Sequence, residues 1–235
     1  MDLTLVSQPI SAAAEAPINA PVVQAVLFDL DGTFADTAPD MAAAANALRS
    51  RRGLPPLPLS DLRRYVSNGA RGMVFAAFGL KPNDADFSEL RQEFLSEYEA
   101  AICVHSLVFD GMLETVTMLE DRDIAWGIVT NKVAKHSAPL VRAFGVETRA
   151  ACVVSGDTCA RAKPFPDPLL HAAKLISIDP GHCLYVGDDI RDIQAAHAAG
   201  MRSVAALYGY LGDSHPETWN AHATINSPAE ILQFV

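Results

Sequence analysis

Five short runs of apolar residues occur along the chain, and each run is nearly continuous. In order they are "VVQAVLFDL", "IAWGIVT", "ACVVSG", "CLYVGD" and "RSVAALY". Apolar runs of this length without polar alternation are typical of strands buried on both faces, as in a parallel sheet. Most of the segments between them have helical spacing: "GMLETVTMLEDRD", "VAKHSAPLVRAFG", "DPLLHAAKLISI" and "DIRDIQAAHAAG". Alternating strands and helices predict an α/β fold with a doubly wound parallel sheet.

Residues 38–109 break this alternation, because their apolar positions have helical spacing and no strand is predicted among them. The stretch "PDMAAAANALRSRRG" has Pro and Asp in its first turn and Gly after its end, as a helix commonly does. Helical patterns follow in "SDLRRYVS", "ARGMVFAAFG" and "DFSELRQEFLSEYEAAICV". We therefore expect an all-helical cap subdomain at 38–109, inserted into an α/β core made of 23–37 and 110–235.

The first 22 residues have a different composition from the rest of the chain. The stretch "MDLTLVSQPISAAAEAPINAPV" is rich in Ala and Pro and shows no clear periodicity. It lacks the basic start and the long apolar stretch of a secretory signal peptide. We expect a poorly ordered N-terminal extension at 1–22.

Composition narrows the class of protein. Half of the 235 residues are hydrophobic, which is enough for one medium-sized domain with an insertion. The formal net charge of −10 argues against a nucleic-acid partner, which would require a basic face. The four cysteines form no CxxC pair, and no apolar run approaches the roughly 20 residues of a membrane span. We expect a cytoplasmic protein, monomeric or homodimeric, without a membrane or nucleic-acid partner.

Polar residues that could take part in catalysis or ligand binding lie at the ends of the predicted strands. Ligands of open α/β sheets bind at the carboxyl ends of the strands, so these residues should share one edge of the sheet. Asp29 and Asp31 follow the first strand, and Lys163 lies in the loop after the third. The remaining members follow the second and fourth strands: Thr130, Asn131, Asp188 and Asp192.

Three of these carboxylates, on Asp29, Asp31 and Asp188, would repel one another in a shared crevice, so either their pKa values rise or a cation lies among them. Two unit charges about 4 Å apart repel by roughly 4 kcal/mol at an effective dielectric constant of 20. Carboxylates, backbone carbonyls and water are the oxygen ligands that suit Mg²⁺, which commonly accompanies phosphate. Aspartate can act as a nucleophile towards phosphorus, and a second carboxylate can handle the proton of the leaving group. Lys163 and Thr130 are candidates for binding the transferring phosphate.

Four segments occur in the order "DLDGTFADT", "GIVTN", "KPFPDP" and "VGDDIRD". They resemble the four motifs of the haloacid dehalogenase superfamily, and the likeness extends from Val22 to the C-terminus. The inserted helical segment resembles the C1 cap of that family. The resemblance implies a phosphatase that uses Mg²⁺ and passes through an aspartyl phosphate.

The same resemblance implies a role for each candidate residue. Asp29 would be the nucleophile and a metal ligand, and Asp31 the general acid and base with its backbone carbonyl on the metal. Asp188 would complete the metal site. Asp192 would hold the groups around the metal ligands without binding the metal itself. Phosphate would be bound by Thr130, Asn131 and Lys163.

Within the superfamily the chain most resembles phosphoglycolate phosphatases, including the branch that acts on N-acetylmuramic acid 6-phosphate. The stretches that resemble this N-acetylmuramic acid 6-phosphate branch are "RGLPPLP", "SNGARGM", "FSELRQEFLSEYE", "VHSLVFDGM" and "YGY". The implied substrate is a small phosphorylated metabolite, either 2-phosphoglycolate or N-acetylmuramic acid 6-phosphate, with the second favoured. Arg71, at the start of a cap helix, is the candidate for a substrate contact from the cap.

Other functions share part of this pattern. A sugar phosphomutase could use the same residues to return phosphate to a sugar. A receiver domain also forms an aspartyl phosphate, but it is usually about half this length and has no helical insertion. A haloacid dehalogenase would not need Asp31. A dinucleotide-binding enzyme would need GxGxxG after the first strand, and the sequence has none there.

Overall fold

The structure is a computed structural model that describes residues 22–235. The expected N-terminal extension, apart from Val22, lies outside the described residues. The strands and α helices described are, in chain order, β1 (Ala25–Phe28), β2 (Ala35–Asp36), α1 (Ala38–Arg51), α2 (Leu59–Arg63), α3 (Gly69–Phe78), α4 (Phe87–Ala100), β3 (Leu107–Val108), α5 (Met112–Glu120), β4 (Ala125–Val129), α6 (Ala134–Ala143), β5 (Cys152–Val154), α7 (Asp167–Ile176), β6 (Cys183–Gly187), α8 (Ile190–Ala198), β7 (Arg202–Ala206) and β8 (Ala223–Ile225). Short 3₁₀ helices lie at Val66–Asn68, Pro180–His182, Pro216–Thr218 and Pro228–Phe234.

A six-stranded sheet in the order β5-β4-β1-β6-β7-β8 forms the centre of the core, and every neighbouring pair in it is parallel. The predicted doubly wound α/β fold is therefore confirmed. All five predicted strands are present in this sheet. The edge strand β8 was not predicted, because its three residues, Ala223–Ile225, stand among polar neighbours and form no apolar run.

The first strand shows why these segments carry no polar positions. Its residues alternate between two apolar layers, and all four are almost completely buried. Val26 and Phe28 pack into the layer that contains α5 and α6. Ala25 and Leu27 pack into the layer that contains α7 and α8. A strand covered by helices on both faces must be apolar at consecutive positions, which is the pattern seen in the sequence.

The segment between β2 and β3 has its own hydrophobic core. Helices α1 to α4 bury a cluster that includes Leu48, Met73 and Phe94. We propose that this segment is a cap subdomain with the boundaries expected from the sequence. The prediction that 38–109 contains no strand is wrong at β3, which pairs antiparallel with β2. Two residues are too few to show a strand periodicity, so the pairing partner alone reveals β3.

Asp40, near the start of α1, joins the two chain segments that connect the cap to the core. Its buried carboxylate accepts hydrogen bonds from the backbone N–H groups of Val104, His105 and Ser106 at 2.8–3.1 Å. The Ser106 hydroxyl donates a further bond of 2.6 Å. The chain that leaves the cap is thereby fastened to the chain that enters it.

Two features of the described part of the chain concern membrane spans and cysteines. None of its helices is long and apolar enough to cross a membrane. Its four cysteines are free thiols, of which Cys152 and Cys183 are buried and Cys103 and Cys159 partly buried.

Candidate active site

Neighbouring strands bring the predicted site residues to one edge of the sheet. In the register of the sheet, Phe28 at the end of β1 lies beside Ile128 of β4 and Val186 of β6. The next residue, Asp29, donates its backbone N–H to the carbonyl of Val186 at 2.9 Å. Thr130 extends β4 in the same direction and Asp188 follows β6, so their side chains start at the same edge.

Three buried or largely buried carboxylates form a cluster there. Asp29, Asp188 and Asp192 each offer an oxygen, and these oxygens lie within 4.8 Å of one another. Burial raises the pKa of Asp29 to about 7, although the nearby Lys163 opposes the shift. Burial, together with the charges of Asp29 and Asp192, also raises the pKa of Asp188 well above its ordinary value. The cluster is therefore electrostatically unfavourable as three anions.

Lys163 is the cation nearest to this cluster, and its side chain is 2% exposed. Its Nζ lies 2.9 Å from Asp29 Oδ1 and 2.7 Å from Asp192 Oδ1. It also donates hydrogen bonds to the Val129 carbonyl at 3.0 Å and the Tyr185 hydroxyl at 2.7 Å. Burial lowers the pKa of Lys163, but Asp192 and Asp29 raise it by more, so the ammonium stays charged.

The charges of the cluster fit a divalent cation. Three carboxylates and one ammonium leave a formal charge of −2 when all are ionised. The oxygen-only donor set is the one that Mg²⁺ prefers. Asp192 is already engaged, because Oδ1 pairs with Lys163 and Oδ2 accepts the Asp189 backbone N–H at 3.1 Å. Asp29 and Asp188 are better placed to hold a metal ion, because within residues 22–235 Asp29 has a side-chain partner only at Oδ1, and Asp188 accepts hydrogen bonds from neutral groups and pairs with no cation.

Asp188 is held by groups that the sequence analysis did not identify. Its Oδ1 accepts the Thr33 hydroxyl at 2.8 Å, and its Oδ2 accepts the Tyr210 backbone N–H at 2.7 Å. A Cβ atom on Gly209 would lie 2.3 Å from the Asp188 Cβ and 2.4 Å from the Gly32 carbonyl oxygen. Only glycine therefore fits at position 209, which explains the middle residue of "YGY".

Asp31 is not one of the three clustered carboxylates and has its own cation, which the sequence analysis also missed. The Lys132 Nζ lies 2.9 Å from Asp31 Oδ1, and the Thr37 hydroxyl donates to the same oxygen. The Lys132 ammonium also lies 5.0 Å from the ring centroid of Tyr98, which belongs to cap helix α4. Burial lowers the pKa of Lys132, but Asp31 and Tyr98 raise it by more. The pKa of Lys132 therefore lies above its ordinary value.

The predicted phosphate-binding residues Thr130 and Asn131 lie beside Lys132 and Lys163. The Thr130 hydroxyl oxygen accepts the Lys132 backbone N–H at 3.1 Å, which leaves the hydroxyl hydrogen for a ligand. The Asn131 side chain instead bonds the backbone of Lys163 twice, accepting its N–H and donating to its carbonyl, each at 3.0 Å. Asn131 therefore fixes the loop that presents Lys163.

The cap docks against the core beside this edge. Arg191 of α8 pairs with Asp189 and also donates to the backbone carbonyl of Ser67 in the cap at 2.6 Å. A groove of about 290 Å³ lies next to this contact, between the cap loop at 64–68 and the core loop at 210–214. Arg71, the predicted cap contact, is exposed and makes no hydrogen bond or ion pair within residues 22–235.

Comparison with known proteins gives consistent matches. The model of the haloacid dehalogenase-like hydrolase family matches residues 26–206. The N-acetylmuramic acid 6-phosphate phosphatase of Pseudomonas aeruginosa is 41% identical over 211 residues, covering 89% of this chain and 93% of that protein. A phosphoglycolate phosphatase of Xanthomonas campestris is 46% identical over 211 residues, covering 89% and 95%. The crystal structure of a predicted phosphoglycolate phosphatase from Haemophilus somnus superposes with a TM-score of 0.80 at 26% identity, covering 90% and 97%.

Proposed function

The chain belongs to the haloacid dehalogenase-like hydrolase family and is a phosphatase, and from this premise we propose that it hydrolyses a small phosphomonoester through a covalent phosphate on Asp29. The observation that carries the proposal is the ion pair of 2.9 Å between Lys163 and Asp29 inside a buried acidic cluster. A buried carboxylate beside a fixed ammonium is suited to attack an anionic phosphate, because the ammonium offsets the repulsion between them.

The residues of the site divide the reaction between them. A carboxylate oxygen of Asp29 attacks phosphorus, while Lys163 and the Thr130 hydroxyl bind the phosphoryl oxygens and Asn131 keeps Lys163 in place. Asp31 gives a proton to the ester oxygen as the phosphorus–oxygen bond breaks, and the electron pair of that bond stays on the leaving oxygen. Asp31 then takes a proton from the water that attacks the phosphorus on Asp29, which releases inorganic phosphate.

We propose Mg²⁺ as the metal, held by the side chains of Asp29 and Asp188 and by the backbone carbonyl of Asp31. When bound, the ion would neutralise charge on the phosphoryl oxygens. Asp192 supports the site by pairing with Lys163, and Thr33 and Tyr210 fix the carboxylate of Asp188. The net charge of −2 in the cluster is the observation that supports a divalent ion.

Two substrates are proposed, 2-phosphoglycolate and N-acetylmuramic acid 6-phosphate, of which the second is our preferred candidate. Relatives named for both activities match this chain over similar lengths. Both molecules carry a carboxylate in addition to the phosphate. We propose that Arg71 binds this carboxylate when the cap closes, because a guanidinium forms two parallel bonds with a carboxylate and Arg71 is not otherwise engaged.

The experiment that tests the nucleophile compares Asp29→Asn with Asp110→Asn, which makes the same change at an exposed carboxylate before α5. Asparagine keeps the shape of the side chain but cannot form the acyl phosphate. We expect Asp29→Asn to lose essentially all phosphate release while remaining folded, and Asp110→Asn to keep it. Turnover by folded Asp29→Asn would refute the mechanism. A receiver-like switch would stop after one phosphate per enzyme, and a mutase would return a rearranged sugar phosphate.

A further inference from the structure

Two lysines pair with three of the four carboxylates of the site. Lys163 pairs with Asp29 and Asp192, whereas Lys132 pairs with Asp31. The Lys132 side chain is 9% exposed and the Asp31 side chain 15%, so their contact is largely shielded from water. A partly buried ion pair at 2.9 Å restricts both side chains more than a pair on an open surface does.

The geometry at Asp31 distinguishes its two carboxylate oxygens. Lys132 Nζ and the Thr37 hydroxyl both bind Oδ1. Within residues 22–235 no hydrogen bond reaches Oδ2, so this oxygen remains available for a proton and a substrate. Two bonds to a single oxygen fix the rotation of the carboxylate, and they thereby fix the direction in which Oδ2 points.

The pocket around Lys132 is built from both parts of the protein. Its ammonium lies 5.0 Å from the ring centroid of Tyr98, and Tyr98 is a core residue of cap helix α4. Within the same turn of α4, Glu99 pairs with Lys135 and His136 of core helix α6, each at 2.8 Å. The end of α4 is therefore anchored to the core, and this anchoring places the aromatic face over Lys132.

We infer that Lys132 is a positioning residue that aims Oδ2 of Asp31 at the leaving-group oxygen, with the cap residue Tyr98 keeping Lys132 in place. This inference rests on the proposed function, since it assumes that Asp31 transfers the proton. Asp31 gives its Oδ2 proton to the ester oxygen, the phosphorus–oxygen bond breaks, and its electrons remain on the departing oxygen. Lys132 keeps all its protons and touches neither phosphate nor leaving group.

The test uses two substrates that differ in their need for that proton. Phenyl phosphate and 4-nitrophenyl phosphate share a ring and lack a carboxylate, but nitrophenolate leaves readily without protonation. Correct proton transfer contributes roughly 10²–10⁴-fold, so partial misdirection should cost a fraction of that. We expect Lys132→Met to lower kcat/KM about ten- to a hundredfold more on phenyl phosphate than on the nitrophenyl ester. Lys132→Arg should recover part of the difference.

Lys174→Met is the matched control, because it removes the same charge from an exposed position on α7 and leaves both Asp31 and α4 untouched. We expect it to leave the ratio of the two esters unchanged. Equal losses on both esters in Lys132→Met would overturn the inference, and so would the same shift of the ratio in Lys174→Met. If Lys132→Met does not fold, Lys132→Gln provides the same comparison, with a smaller expected shift.

The part played by the cap is tested with Tyr98. Tyr98→Phe keeps the ring over Lys132 and should keep the wild-type ratio of kcat/KM on the two esters. Tyr98→Leu removes the ring and should shift this ratio in the same direction as Lys132→Met, but to a smaller extent. An unchanged ratio in folded Tyr98→Leu would overturn the contribution of the cap. Failure of the proposed function is distinguishable, because in that case Asp29→Asn would retain turnover whatever the Lys132 variants do.

Discussion

The raised pKa of Asp29 predicts that the metal-free protein loses stability as the pH rises, and that Asp29→Asn abolishes part of this loss. The pKa of Asp29 is about 7 in the folded protein, against an ordinary value of 3.8. The folded protein therefore binds this proton more tightly than the unfolded chain does. The resulting stability is complete below the unfolded pKa and disappears as the pH rises through about 7.

The size of the effect follows from the shift from 3.8 to about 7. At about 1.36 kcal/mol per pH unit, the ionised Asp29 costs the folded protein roughly 4 kcal/mol in total. Of this, about 1 to 1.5 kcal/mol is lost between pH 6 and pH 8. For a chain of this length, each kcal/mol corresponds to roughly 2–4 °C in Tm, so the expected fall is about 2–6 °C.

Thermal denaturation in EDTA at pH 6, 7 and 8 measures this fall. The difference in Tm between the wild type and Asp29→Asn at each pH separates the contribution of this carboxyl from that of the other titrating groups. Asn cannot ionise, so the variant should have a flatter pH profile and a higher Tm than the wild type at pH 8. Excess Mg²⁺ should raise the wild-type Tm more at pH 8 than at pH 6, because the ion binds the ionised carboxylates. Parallel pH profiles for the two metal-free proteins would refute the reasoning.

Three further predictions concern activity. EDTA should abolish phosphate release and Mg²⁺ should restore it, whereas Ca²⁺ should restore it poorly because its larger and looser shell misplaces the reacting groups; full activity after chelation would contradict this. Arg71→Ala should lower kcat/KM about ten- to a hundredfold on 2-phosphoglycolate, with little change on ethyl phosphate, which lacks a carboxylate; equal losses would refute carboxylate binding. Gly209→Ala should weaken activation by Mg²⁺ in a titration, since its Cβ would lie 2.3 Å from the Asp188 Cβ; Gly181→Ala, with a nearest contact of 3.2 Å, should behave as the wild type.

The fold was predictable where a single segment carries its own signal. The strand β1 is flanked by helices on both faces, so its apolar run reveals both its structure and its burial. The helices of the cap likewise have their own punctuation and spacing. The strands β3 and β8 have two and three residues, and only their pairing partners make them strands. Pairing is a tertiary property that a local pattern does not contain.

The same distinction applies to the candidate site. Asp29 and Asp188 could be placed at one edge because the carboxyl ends of parallel strands meet there. Lys132 could not be assigned, because a lysine after a strand is ordinarily a surface residue, and its ion pair with Asp31 depends on how Tyr98 of the cap packs over it. Tyr210 was missed for a similar reason, since its backbone N–H reaches Asp188 from a loop 22 residues further along the chain.

The narrow connection at β2 and β3 has a consequence for engineering. Ala35 lies opposite Val108 and Asp36 opposite Leu107, so the two ends of the inserted segment are about 5 Å apart. An insert whose ends are this close can be exchanged as a cassette between enzymes without opening the sheet. A transplanted cap would also have to bring its own partners for the core, such as the Ser67 carbonyl that binds Arg191 and the Tyr98 ring over Lys132. A cassette that matches only the two short strands would fold on its new host, but Oδ2 of Asp31 would not be directed at the leaving-group oxygen.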